Sequence, residues 1–129
     1  MEVTFDGGKV ITAHINGHII RTDQPEKIGG TNTAPTPFEL FLAAIGTCAG
    51  IYVKSFCDMR KIPTEGIKIV QNADYNQETG LPTNIQIEIQ LPESFPEKYI
   101  NAVVNVAEQC KVKNTIKSQP KITVNASKI

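Results

Sequence analysis

One stretch of the chain constrains its fold more than any other, because it predicts a helix without a polar face. Residues 40–53 are apolar or small at every position around the helical turn. Thr36, Pro37 and Glu39 directly precede this stretch, with the spacing of a helix N-cap, a first-turn proline and a capping-box glutamate. Such a helix must be covered on every side, and a chain of 129 residues has few other elements to cover it. We therefore expect a second copy of the chain to supply the cover.

The N-terminal residues predict a meander of three short strands within residues 2–23. Asn16-Gly17 is the strongest turn signal, and a two-residue turn there pairs Ile15 with His18. The pairs that follow are His14 with Ile19, Ala13 with Ile20 and Thr12 with Arg21. This register predicts a buried face formed by Ile11, Ala13, Ile15, His18 and Ile20, and a more exposed face formed by Thr12, His14, Ile19 and Arg21. The two histidines fall on opposite faces, so no zinc site is expected.

The rest of the chain predicts three more strands and one more helix. Residues 24–35 are rich in turn formers and predict a long loop of the kind that often serves a site. Residues 66–75 and 85–91 predict two strands, and residues 122–126 predict a last strand after a proline. Residues 94–109 predict an amphipathic helix with its own capping box. The order βββ-α-ββ-α-β is that of an α+β fold, which we expect to form a single domain, residues 1–129.

Composition and charge narrow the class of protein. The chain has 13 basic and 13 acidic residues and a formal net charge of zero, so it has no overall positive field to attract nucleic acid or anionic lipid. Its first residues lack the pattern of a secretory signal, and the apolar stretch is shorter than the roughly 20 residues that cross a bilayer. We expect a cytoplasmic protein that binds neither nucleic acid nor membrane.

The three cysteines, Cys48, Cys57 and Cys110, contain no CxxC pair and are expected to be reduced. From the residues alone, each is either a buried core thiol or a reactive one. Cys48 lies more than two turns into its helix, so the dipole of that helix helps it little. Cys57 falls on the opposite helical face from Cys48 and is expected to be a bystander. Glu39 is open to two interpretations, as a capping residue or as a carboxylate near a site.

Several of these motifs together resemble the OsmC/Ohr family. The motifs are Gly29-Gly30, residues 35–48 (PTPFELFLAAIGTC) and residues 107–110 (AEQC) before the closing strand. The second block is similar to the family's P-x-E-L run, which ends in G-x-C or A-x-C on the helix that carries the peroxidatic cysteine. Cys110 matches the family's resolving cysteine. The resemblance implies an intertwined homodimer in which two sheets enclose the paired central helices.

The resemblance also implies an activity, the thiol-dependent reduction of hydroperoxides, often organic ones, without a metal or other cofactor. Cys48 would be the nucleophile and Cys110 the resolving thiol, and a cellular dithiol would reduce the disulfide that they form. Arg21 is the candidate for the family's activating arginine, and Glu39 is the candidate for its supporting carboxylate. This chain has Phe38 directly after the proline, where the best-studied branches have that glutamate. The alternative function is a non-catalytic module that binds a small apolar ligand or a partner at the dimer interface.

Overall fold

The computed structural model describes all 129 residues, and the chain divides into two compact units, residues 1–44 and residues 45–129. The fold is α+β, as the sequence predicts. The first unit contains β1 (Glu2–Phe5), β2 (Ile11–Ile15), β3 (His18–Thr22), a 3-10 turn (Glu26–Ile28) and the start of α1 (Pro37–Met59). The second contains the rest of α1, β4 (Lys68–Tyr75), β5 (Pro82–Gln90), a 3-10 turn (Glu97–Tyr99), α2 (Ile100–Ala107) and α3 (Lys111–Ser118).

The first unit holds an antiparallel sheet in the order β1-β2-β3, and its register is the predicted one. Ile15 pairs with His18 and Thr12 pairs with Arg21, which confirms the turn at Asn16-Gly17. The predicted division into a buried and an exposed face is wrong at Thr12, which is buried. Thr12 lies on the central strand and its hydroxyl donates a hydrogen bond to the Asp6 carboxylate, so this polar side chain is enclosed and satisfied. His18 and Ile20 are both predicted to be buried, but both are exposed.

The loop after β3 is organised around a buried carboxylate, that of Asp23. It accepts hydrogen bonds from the backbone N–H of Gln24 and from both the backbone N–H and the hydroxyl of Thr31 and Thr33. These donors, first among them the Thr31 hydroxyl, hold the pKa of Asp23 well below its usual range. Asp23 is not among the residues predicted to be important. The sequence signal for it is an aspartate directly after a strand with two threonines further along the loop.

The Gly29-Gly30 pair in the same loop has a structural reason. Gly29 has a φ of 91°, a left-handed conformation that glycine adopts without strain. A Cβ at Gly30 would lie 1.8 Å from the carbonyl oxygen of Gln24, so no larger residue fits without moving the backbone. The pair therefore allows the loop to fold back closely on itself beside Asp23.

Helix α1 starts where the sequence predicts. The backbone N–H of Thr36 donates to Glu39 Oε2 at 2.7 Å, and the backbone N–H of Glu39 donates to the Thr36 hydroxyl at 3.1 Å, which forms the predicted capping box. By length and composition this 23-residue helix could cross a membrane, although core helices of globular proteins meet the same criteria. Only 28% of its most apolar window is buried, and Ile51 is 57% exposed. A single chain thus leaves much of this apolar helix uncovered.

The second unit packs α1 against the antiparallel hairpin of β4 and β5 and against α2. Small residues on α1 allow the close approach, since a Cβ at Gly50 would touch Ile69 of β4. The hydrophobic core of this unit consists of Val53, Phe56, Cys57, Ile62, Phe95 and Val103. Cys57 is completely buried there.

The C-terminal third departs from the prediction in two places. The predicted helix 94–109 is a 3-10 turn followed by the shorter α2, and an unpredicted helix, α3, begins after Cys110. The chain turns at Cys110 because its backbone is extended there and its sulfur caps the new helix. The predicted last strand is absent: residues 119–129 form no helix or strand, and Ile122 and Val124 are 86% and 90% exposed. Alternating residues form a strand only where another strand accepts their backbone hydrogen bonds, and within one chain this segment has no such neighbour.

The contacts of Asp23 predict a pH-dependent effect of Asp23→Asn. In the variant, the NH₂ group of asparagine replaces a carboxylate oxygen and would face N–H and hydroxyl donors of Thr31 and Thr33. We therefore expect the variant's melting temperature to fall by several degrees at neutral pH. The carboxylate contributes its stability above its unfolded pKa of about 4 and loses it as the pH falls further, so the difference between variant and wild type should shrink below that pH. Thermal melts followed by circular dichroism, from about pH 3 to about pH 8, measure this difference. A difference that stays constant across the range would contradict the assignment.

Candidate functional site

Two of the predicted site residues, Cys48 and Cys110, meet in the second unit. Cys48 lies on α1 and is half-buried, whereas Cys110 is the N-cap residue of α3 and is 1% exposed. Each sulfur lies close enough to shift the pKa of the other, and both thiols are free. The spacing of these cysteines in the sequence did not predict that they lie close together. This proximity arises because the turn after α2 brings Cys110 back against α1.

The first turn of α3 surrounds the two sulfur atoms with backbone donors. The backbone N–H groups of Lys111 and Val112 lower the pKa of Cys48, and the N–H of Lys113 donates to Cys110 Sγ at 3.5 Å. Amides in the first turn of a helix have no partner within the helix, and the helix dipole adds positive potential at this end. The start of α3 is therefore suited to hold negative charge on sulfur.

The pKa values of the two thiols are shifted in opposite directions. Burial raises the pKa of Cys48, but the hydrogen bonds from Cys110, Val112 and Lys111, together with the charge of Lys111, outweigh it and lower that pKa below its ordinary value. Burial raises the pKa of Cys110, and the neighbouring sulfur of Cys48 raises it further. Cys48 is thus the thiol that loses its proton first, while Cys110 keeps its proton and donates it. A thiolate beside a thiol can form a disulfide once an oxidant has converted the thiolate to sulfenic acid.

Of the chain's two arginines, only Arg60 belongs to the second unit, and it is not among the groups that lower the pKa of Cys48. Arg60 lies 12 residues beyond Cys48, about 18 Å along α1 at about 1.5 Å per residue, and its guanidinium stacks 3.8 Å from the centre of the Phe56 ring. Arg21 belongs to the first unit, where it is exposed on β3. There, the pKa of Asp6 is lowered mainly by the hydroxyls of Thr12 and Thr4, with smaller effects from His14 and Arg21. The cation near Cys48 in its own unit is Lys111.

The other residues considered in the sequence analysis make contacts within the fold. Glu39 lies in the first unit, where its carboxylate accepts the hydrogen bond of the capping box. Burial raises the pKa of Cys57, which keeps this thiol protonated in the core. His14 and His18 lie on opposite faces of the sheet, as the register predicts. The chain contains no group of three or more histidine, cysteine, aspartate or glutamate side chains that could hold a metal ion.

An apolar groove with a volume of about 330 Å³ lies in the second unit next to Cys110. Its floor is formed by Ile45 and Ala49 of α1 and by Ile85, Ile87 and Ile89 of β5. Glu108, Lys113 and Lys117 line its polar side, and Lys113 pairs with Glu108. The sequence signal for this groove was the alternation of isoleucines in β5, which predicted an apolar face but not what lies opposite it.

Comparisons with known proteins place the chain in a family. Residues 30–125 match the family model described as OsmC-like protein. The sequence has no significant match among curated proteins.

Three solved structures share the fold. A protein from Psychrobacter arcticus 273-4, provisionally described as an osmotic stress induced and detoxification response protein, is 19% identical with a TM-score of 0.74, over 88% of this chain and 85% of that one. A hypothetical protein from Aquifex aeolicus VF5 is 18% identical with a TM-score of 0.69, over 92% and 86% of the two chains. An OsmC-like protein of unknown function from Vibrio cholerae O1 biovar eltor is 15% identical with a TM-score of 0.57, over 83% and 78%. At these identities the likeness shows the fold alone.

The environment of Cys48 predicts that one thiol of the native protein is more acidic than a free cysteine. Stopped-flow alkylation across pH should give one fast phase, assigned to Cys48 by mass spectrometry, with Cys57 inert. Lys111→Gln removes a positive charge, so it should raise the pKa of Cys48 and slow alkylation at neutral pH by roughly twofold to fivefold. Lys98→Gln, which removes the lysine that lies over Tyr99, is the matched control and should leave the rate unchanged. A fast phase on Cys110 or Cys57 would contradict the assignment.

Proposed function

The chain belongs to the OsmC-like protein family, and on that premise we propose that it is a thiol-dependent hydroperoxide reductase that works through Cys48 and Cys110. One observation carries the proposal: the two thiols are in contact at the start of α3, and the pKa of Cys48 is lowered while that of Cys110 is raised. This is the arrangement that a nucleophile and a resolving thiol require, because the first must be a thiolate and the second must lie within reach of it.

The proposed cycle has three steps. The Cys48 thiolate attacks the terminal oxygen of the hydroperoxide, the O–O bond breaks, and the alkoxide leaves as an alcohol after it takes up a proton. Cys48 is then a sulfenic acid, and the sulfur of Cys110 attacks it, gives up its own proton and displaces water to form the disulfide. A dithiol reductant restores both thiols by exchange and is itself oxidised to a disulfide.

The activation of Cys48 is assigned to the first turn of α3. The backbone N–H groups of Lys111 and Val112 and the charge of Lys111 favour the thiolate, which is what an activating cation would do. The family resemblance assigns activation to Arg21 and support to Glu39. The first unit provides other surroundings for both residues, so the proposal depends on α3 instead.

The apolar groove favours organic hydroperoxides over hydrogen peroxide. Its floor consists of aliphatic side chains, and Cys110 lies at its edge. An alkyl group releases water when it enters such a groove, whereas hydrogen peroxide has no apolar part to bury. In this proposal the reduced, working protein is cytoplasmic, where a dithiol reductant keeps both cysteines in the thiol state.

We also propose that the working form is the homodimer that the sequence analysis expects. Phe38 and Phe41 stack at the start of α1 with their ring centres 5.6 Å apart, and both remain exposed. Ile51 on α1 and Ile19 on β3 are exposed as well, and large exposed apolar surfaces are typical of interaction sites. A second chain would cover them.

The dimer proposal predicts a solution mass of twice 14.1 kDa. Ile51→Glu places a charge in the apolar surface of α1 and should shift the protein towards the monomer, because an unpaired charge is costly to bury. Gln77→Glu in the exposed turn between β4 and β5 introduces the same charge away from α1 and is the matched control, which should remain dimeric. Sedimentation velocity measures the outcome, and a monomeric wild-type protein at micromolar concentration would contradict the proposal.

A second candidate function is a binding module without turnover, and the groove itself favours it. An apolar groove of this size accepts a small ligand whether or not the cysteines react. In that case, a fluorescent apolar probe should bind equally well to the wild type and to Cys48→Ser, and neither protein should consume hydroperoxide.

The reductase proposal predicts the following for cumene hydroperoxide with dithiothreitol as the reductant. Cys48→Ser should lower turnover to the uncatalysed rate, because the nucleophile is lost. Cys110→Ser should leave the sulfenic acid of Cys48 unresolved, so that dimedone traps it and mass spectrometry detects the adduct. Cys57→Ser should behave as the wild type. If Cys48→Ser retains the wild-type rate, the reductase function is wrong.

A further inference from the structure

Few interactions within helix α3 stabilise its first turn. It is 8 residues long, has no fully buried residue and has no acidic residue in its first turn. Helices of this length are marginal on their own, and Lys111 and Lys113 place positive charge at the end where the helix dipole is already positive. The ion pair with Glu108 offsets the charge of Lys113. After α3, residues 119–129 form no further element that would hold it in place.

The N-terminal turn of α3 is capped by sulfur. Cys110 is its N-cap residue, and Cys110 Sγ accepts the N–H of Lys113 at 3.5 Å. The backbone N–H groups of Lys111 and Val112 favour the thiolate form of Cys48. Hydrogen bonds to a charged acceptor are roughly twice as strong as those to a neutral one, so a thiolate caps this end far better than a neutral sulfur does.

We propose that α3 is a redox-sensitive helix, which is held closed by the reduced Cys48–Cys110 pair and loosened when the two cysteines form a disulfide. The proposal rests on the pairing of these thiols in the proposed function, but not on the oxidant. In the step, one S–S bond forms, the Cys48 thiolate and the Cys110 thiol together release two electrons and one proton, and a two-electron oxidant takes up the electrons and takes any further proton from water. For a hydroperoxide, the O–O bond breaks to give alcohol and water. The disulfide sulfurs carry no negative charge and are weak acceptors, so the cap is lost.

The loosening of α3 has a consequence for the groove. Lys113, Ile116 and Lys117 of α3 form one of its walls. When the first turn opens, this wall moves away from the isoleucines of β5. The reduced protein therefore has the more enclosed groove, which suits substrate binding, and the oxidised protein has the more open one, which suits release of the alcohol product.

Hydrogen exchange measured by mass spectrometry tests this on the full-length protein. Diamide, an azo compound that takes up two electrons and two protons, forms the disulfide without any hydroperoxide. Amides in residues 111–118 should exchange roughly tenfold faster after oxidation, the effect of losing about one helix cap. Amides in residues 50–57 of α1 should not change. Equal or slower exchange of residues 111–118 in the oxidised protein would overturn the proposal.

Cysteine variants separate the cap from other effects of the oxidant. Cys48→Ser cannot form the disulfide, so its α3 should show no change with diamide, whereas Cys57→Ser should respond as the wild type. Cys110→Ala removes the N-cap acceptor and should exchange fast with or without oxidant, whereas Cys110→Ser keeps a hydroxyl cap and should stay protected in both. A loss of protection in Cys48→Ser with diamide would reject the switch. Absence of peroxidase turnover with an intact response to diamide would reject the reductase and leave the switch standing.

Discussion

The contact between two cysteine sulfurs and the first turn of α3 is the interaction on which the proposed chemistry depends. It joins three parts of the second unit: the middle of α1, the turn after α2 and the start of α3. It also gives the two thiols different pKa values. Backbone N–H groups lower the pKa of Cys48, whereas burial raises the pKa of Cys110. Cys48 lies too far along α1 to benefit from the dipole of its own helix, and the dipole of another helix supplies what is missing.

In the first unit, backbone N–H groups likewise stabilise the negative charge of a side chain, in this case a carboxylate. Asp23 is a buried anion that backbone amides and threonine hydroxyls satisfy, and it shapes the loop that leads into α1. Gly30 allows that loop to pass close to the carbonyl of Gln24. In both units, therefore, backbone N–H groups favour the negatively charged form of a side chain. The Asp23 carboxylate has a structural role, whereas the Cys48 thiolate is proposed to react.

The apolar surface of α1 links the fold to the proposed assembly. A helix that is apolar all round can be covered only partly by the sheets and helices of one chain, and Ile51, Phe38 and Phe41 remain exposed as a result. The apolar tail after α3 has the same character, because Ile122 and Val124 alternate as in a strand but have no strand beside them. Both features are accounted for if a second chain completes the structure, as in the proposed homodimer.

The sequence by itself determined the features that depend on neighbouring residues. The capping box at Thr36 and Glu39 set the start of α1, and Asn16-Gly17 set the register of β2 and β3, because helix caps and tight turns are formed by residues close together in the chain. Tertiary structure alone decided the contact between Cys48 and Cys110, the burial of Thr12 and the end of α2 before Cys110. A cysteine is not among the usual N-cap residues, so α3 had no local signal, and whether a thiol is reactive depends on donors that are distant in sequence.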